Sequence, residues 1–109
     1  MSTKNEYKPR SIVIGGTKFK ILYKKIENFG ELHFDERQIF LRKDLKAEEL
    51  FDTLMHEVVH ATLSLSGLTY ILDDEKQEEA TVRIIEHFLF PVFKKEYNFY
   101  QKSIDLAKK

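Results

Sequence analysis

The chain has no cysteine and no tryptophan, only two prolines and four glycines, and no surplus of charge of either sign over its 109 residues. Without cysteine there is no disulfide, no thiolate metal ligand and no thiol nucleophile, so any metal must be held by histidine and carboxylate. Eighteen basic side chains balance eighteen acidic ones. That balance removes a global attraction for phosphate backbones or anionic lipid, and neither a nucleic acid nor a membrane is expected as a partner. The longest nearly apolar stretch, Leu63 to Leu72, is interrupted by Ser, Gly, Thr and Tyr and falls well short of the roughly 20 residues that cross a bilayer. The polar opening from Met1 to Arg10 lacks the apolar core of a secretory signal, and a cytoplasmic location is the expectation.

What is present is enough for one modest core: 42% of residues are hydrophobic, nine of them Phe and five Tyr. A chain of this length has no room for a second core. The expectation is a single domain over residues 11–100, between a flexible arm (1–10) and a fraying tail (101–109).

Ser11 to Ile14 and Thr17 to Ile26 are rich in β-branched and aromatic residues and flank Gly15-Gly16, the signature of a hairpin with a tight turn. Phe19, Ile21 and Tyr23 alternate with lysines, so one face is buried and the other, with Lys18, Lys20 and Lys24, is solvated. After a break at Asn28-Phe29-Gly30, Glu31 to Phe34 and Gln38 to Lys43 read as a second antiparallel pair. From Lys46 the period changes. Leu50, Phe51, Leu54, Met55, Val58, Val59, Ala61, Thr62 and Leu65 cover most of a helix surface, with Asp44 as N-cap and Gly67 as stop, so this helix belongs inside the domain. Asp73, Asp74 and Glu75 suit the start of a next helix whose apolar face is carried by Val82, Ile84, Ile85, Phe88 and Leu89, and which Pro91 ends or kinks. Phe93, Tyr97 and Tyr100 then read as core residues of a last helical piece. The fold class is α+β: a small antiparallel β-sheet packed on a central helix, with a second, C-terminal helix.

On the central helix stand His56, Glu57, Val58, Val59 and His60, an H-E-x-x-H arrangement. Histidines four apart project from one helical face, so both imidazoles reach one metal ion while Glu57 lies beside the first. Chance supplies this pattern in roughly one or two of a hundred shuffled sequences of such composition. A polar cluster without metal would leave two imidazoles and a carboxylate among Val, Leu and Met without obvious partners. The geometry is that of a catalytic zinc site: three protein ligands, a fourth position for water, and Glu57 as general base. No histidine follows at the spacing of an H-E-x-x-H-x-x-G-x-x-H site. A carboxylate of the next helix, Glu78 or Glu79, is the better third ligand, Glu86 being further along. Glu78 shares a stripe with Val82, Ile85 and Leu89. Glu79 neighbours the small Ala80, so periodicity leaves the pair open.

The segment from about Gln38 to Leu89, with Gln38-Ile39-Phe40-Leu41, Thr53-Leu54-Met55-His56-Glu57-Val58-Val59-His60-Ala61 and Glu78-Glu79-Ala80-Thr81-Val82-Arg83-Ile84-Ile85, resembles small zincin metallopeptidases of the ImmA/IrrE-like type common in phages and mobile elements. The resemblance covers roughly half the chain. It implies a minimal zincin-like domain with gluzincin-like ligation, in which the Glu three before Val82, Glu79, joins His56 and His60 on one Zn2+. It further implies a zinc-dependent endopeptidase acting on a protein or peptide through metal-bound water, and an edge strand, Gln38 to Arg42, that pairs with extended substrate. The second helix only partly follows the E-A-N-x-F-A-x-x-L-L-x-P form of better-studied members, and no helix-turn-helix domain accompanies it, so substrate identity does not carry over. A different class stays open: a phage or mobile-element metal-binding protein that acts by contact with a partner, its metal structural. The intact Glu57 favours the enzyme, because a structural site does not need that carboxylate.

Three further residues have two readings each. His33 reads as structural against substrate-facing, His87 as unrelated to the site against stacking behind it, and Tyr70 as a packing anchor against an oxyanion-steadying phenol.

Overall fold

The computed structural model describes residues 6–108; the first five residues of the arm expected over residues 1–10 and the last residue of the tail expected over residues 101–109 lie outside them. The chain divides into two compact units, one up to Leu72 and one from Asp73.

The first unit holds four strands and a helix. β1 (Ser11–Ile14) and β2 (Thr17–Lys24) form the expected hairpin, with Ile14 opposite Thr17. Gly15 and Gly16, at φ 54° and 84°, make its turn in the left-handed region that glycine adopts without penalty. β3 (Gly30–His33) and β4 (Gln38–Arg42) form the second antiparallel pair. Arg37 closes it, its amide donating to the Phe34 carbonyl at 3.0 Å.

The sheet is mixed, which corrects the expectation of an all-antiparallel one. Its order is β1-β2-β4-β3, and β2 pairs with β4 in parallel, Ile21 opposite Ile39 and Tyr23 opposite Leu41. The physical reason lies in β4 itself. Ile39 and Leu41 are fully buried, and a strand that buries its apolar residues so completely is best served by a neighbour on each side. β3, with a glycine at its start and all its residues only partly buried, takes the edge instead.

α1 (Ala47–Leu65) packs on this sheet: Leu50, Leu54 and Ala61 share one buried cluster with Phe19, Ile21, Ile39 and Leu41. Its start corrects the expected N-cap. Lys46, not Asp44, occupies the cap position, and Asp44 accepts from Arg42 Nε at 2.7 Å. The buried Leu45 accounts for the offset, since it plugs the core before the helix begins. Gly67, at φ 82°, follows the helix as expected and leads into a 3-10 turn at Leu68–Tyr70.

The residues before β1 contact this unit. Tyr7 lies 6.0 Å from Phe51, ring to ring, and Tyr23 donates its hydroxyl to the Pro9 carbonyl at 2.6 Å.

The second unit is helical from Glu75 to Ala107. α2 (Glu75–Ile84) opens as expected, Asp74 accepting from the Gln77 amide at 2.9 Å. A π turn (Ile85–Leu89) joins it to α3 (Phe90–Ala107). Pro91 therefore neither ends nor breaks the helical run. Its ring would press on a carbonyl one turn earlier, and the wider π turn in front of it supplies the slack. Phe93, Tyr97 and Tyr100 are 59%, 60% and 59% exposed, which corrects their assignment to the core. In this unit α3 is preceded only by helix in the same run, and no facing element is there to cover them.

No helix of the described residues is long and apolar enough to cross a membrane.

Candidate metal centre

α1 carries two different stripes. One, Leu50, Leu54, Glu57 and Ala61, is buried. The other presents His56 and His60, both partly buried, one turn apart. Their Nε2 atoms converge to 3.3 Å, with the rings tilted 64° to each other. Two nitrogen ligands at about 2.0–2.1 Å from a tetrahedral zinc stand roughly 3.3 Å apart. The spacing fits a shared cation, and it equally permits an N–H···N hydrogen bond, the tautomers deciding which ring donates.

Glu57 is the one buried charged side chain among the described residues, 7% exposed, and it sits on the apolar stripe between Leu54 and Ala61. No buried side-chain polar atom of the described residues is left without a partner, so this carboxylate is accommodated. A leucine would suit the stripe better by packing alone. A charged group in a core position is the kind of local inconsistency that marks a functional site.

The sheet makes room for it. Gly30 stands opposite Leu41 on the core face of β3, and a Cβ built there would meet Thr53 Cγ2 at 2.9 Å and Glu57 Oε2 at 3.1 Å. Sequence reasoning took Asn28-Phe29-Gly30 for a break and missed this residue. The available signal was a glycine beside an alternating strand, which marks close approach of another group.

Glu79 lies in α2, partly buried, 4.0 Å from Arg83 Nε one turn on. His56, His60 and Glu79 form a group that could hold a metal ion, each offering one ligand atom. Glu78 belongs to the first turn of α2 and is not in that group; nor is Glu86, which falls in the π turn.

The other three residues separate clearly. His33 bonds to Glu31 Oε1 at 3.0 Å and stacks on Phe40, ring centroids 4.0 Å apart. Those contacts put it on the sheet face opposite Gly30 and Leu32, away from α1, as alternation along β3 requires. His87 makes an edge contact with Phe88 at 4.8 Å in the π turn. Tyr70 is 90% exposed and is no packing anchor.

β4 is not the edge strand that the resemblance implied. It lies between β2 and β3, and β3 is the edge on this side of the sheet, paired antiparallel with β4 so that Leu32 stands opposite Ile39. Comparison of the chain with protein-family models, with curated proteins and with solved structures gives no match.

Proposed function

We propose that this chain is a zinc-dependent metallopeptidase of the ImmA/IrrE-like kind, with His56, His60 and Glu79 as metal ligands and Glu57 as general base. The observation that carries the reading is the convergence of the two imidazoles to 3.3 Å on one helix turn, beside a buried carboxylate. Zinc, when bound, would act as a Lewis acid toward a carbonyl and lower the pKa of water into the neutral range.

The chain's own groups supply the rest. Glu57 accepts a proton from the attacking water and returns it to the departing amine. Its burial keeps the carboxylate from wandering into solvent, and its place one residue from His56 puts it within reach of the same point. The free edge of β3 offers main-chain donors and acceptors to an extended peptide, which assigns to β3 the pairing role expected of β4. A short strand of four residues suits a flexible segment of a protein substrate.

The competing reading, a metal-binding protein that acts by contact, gives no reason for a carboxylate in the core stripe of α1. Glu57→Gln separates the two. The variant is expected to keep its zinc and its fold while peptide cleavage falls by about 10²- to 10⁴-fold, the usual contribution of a general base. Cleavage equal to wild type, followed with quenched fluorescent peptides, would remove the hydrolase reading.

A further inference from the structure

We propose that Gly30 is a positioning residue for Glu57: the missing side chain at this point of β3 is what lets the carboxylate occupy its buried place. The inference rests on the hydrolase reading, because it assigns Gly30 a role through the general base.

The glycines of the chain divide into two kinds. Gly15, Gly16 and Gly67 have positive φ, and a Cβ on any of them would meet nothing within 4 Å. They are glycines for their backbone. Gly30 is the reverse, with no positive φ and no free space. Nothing in its backbone calls for glycine, and a glycine within a strand weakens it. The reason is therefore what lies in front of it.

A Cβ there would come within 2.9 Å of Thr53 Cγ2, 3.1 Å of Glu57 Oε2 and 3.2 Å of Glu57 Cγ. Thr53 and Glu57 are one helical turn apart on α1, so they close the space together. Thr53 is β-branched and stiff on a helix, and its methyl group cannot swing aside easily. Of the two neighbours the carboxylate, on the longer and more flexible side chain, is the one that moves. The three atoms nearest the added group belong to Thr53 and Glu57 and none to His56 or His60, so an alanine at position 30 bears first on the seating of the base rather than on the holding of the metal.

The experiment uses the full chain as wild type, Gly30→Ala, Thr53→Ser, the double variant and Glu57→Gln, each loaded with Zn2+. Zinc affinity is measured by competition with a chromophoric chelator, and crystal structures locate the Glu57 carboxylate. Cleavage is followed on a quenched fluorescent random-peptide library, with kcat and KM taken for the best-cleaved member. Gly30→Ala is expected to bind zinc within about twofold of wild type with its carboxylate displaced. Its kcat should fall at least about tenfold, a sizeable part of a general base's usual contribution, while KM holds within about twofold. Thr53→Ser removes the methyl group in the way, and in the double variant it should restore both the carboxylate position and most of kcat.

Three outcomes overturn the proposal. One is a Gly30→Ala protein with its carboxylate in place and kcat unchanged. Another is zinc lost along with activity, which is a general disturbance of α1. The third is no recovery in the double variant. Wild type cleaving no better than Glu57→Gln instead removes the hydrolase reading, and the role of Gly30 with it, even where crystals show the carboxylate displaced.

Discussion

A single imidazole is a weak zinc ligand, and the centre depends on several donors converging at once. His56→Ala and His60→Ala should therefore each weaken zinc binding by roughly a hundredfold or more, as chelator competition would register. The carboxylates of α2 give a sharper comparison. Glu79→Ala should weaken binding to a similar degree, whereas Glu78→Ala should leave it within about twofold, because only Glu79 belongs to the group with both histidines. Equal losses in the two variants, or none in either, would exclude Glu79 as the third ligand. At this scale the sequence was informative for His56, Glu57 and His60, whose spacing alone places them on one turn. It could not choose between adjacent glutamates, which differ by a rotation of about 100° on a helix whose neighbours are not written in its own residues. It was silent on Gly30, because a close approach between strand and helix is a property of two segments together.

Among the elements, the segment before β1 is tied to β2 through Tyr23. Burial pushes the Tyr23 phenol up to about 12, with Tyr7 adding to the rise and Arg10 opposing it, and the hydroxyl's donation to Pro9 also favours the protonated form. Below pH 10, the ordinary tyrosine value, the phenol is neutral in folded and unfolded chains alike and its contribution is fully present. As pH rises from there toward 12 the unfolded chain ionises first, and the contribution is lost. Tyr23→Phe should thus cost about 1 kcal/mol near neutrality. The gap from wild type should narrow between pH 10 and 12 in urea unfolding; a gap constant across that window would contradict the assignment. The same scale explains what was legible in the fold. Both hairpins and α1 follow from alternation and periodicity, which are local. The cap at Asp74 is local too. The parallel pairing of β2 with β4 is not, since it is decided by which strand most needs covering on two sides. The π turn in front of Pro91 is not local either, being set by hydrogen bonds outside the proline's own position.

For the whole molecule, a metal that binds only the folded chain must raise its stability in proportion to the logarithm of its concentration. Zinc at a hundredfold excess over its Kd should add about 2.7 kcal/mol, which for a chain of this size is a rise of roughly 10–20 °C in Tm. A strong chelator should reverse it. Glu57→Gln should show the same rise, since it touches proton transfer rather than the ligands, while His56→Ala should show little. A thermal scan without any shift in wild type would exclude a folded-state zinc site.

The interposed position of β4 also bears on how the chain assembles as it is made. When synthesis has reached only Phe34, β3 exists but the strand that will lie beside it has not yet been joined on. The sheet cannot zip up in order of synthesis. β2 and β3 must wait apart with a vacant slot between them, and the hairpin arm that fills it carries Ile39 and Leu41, both fully buried in the finished sheet. Closing that slot is the step at which a nascent chain is most open to pairing with a neighbour instead of with itself.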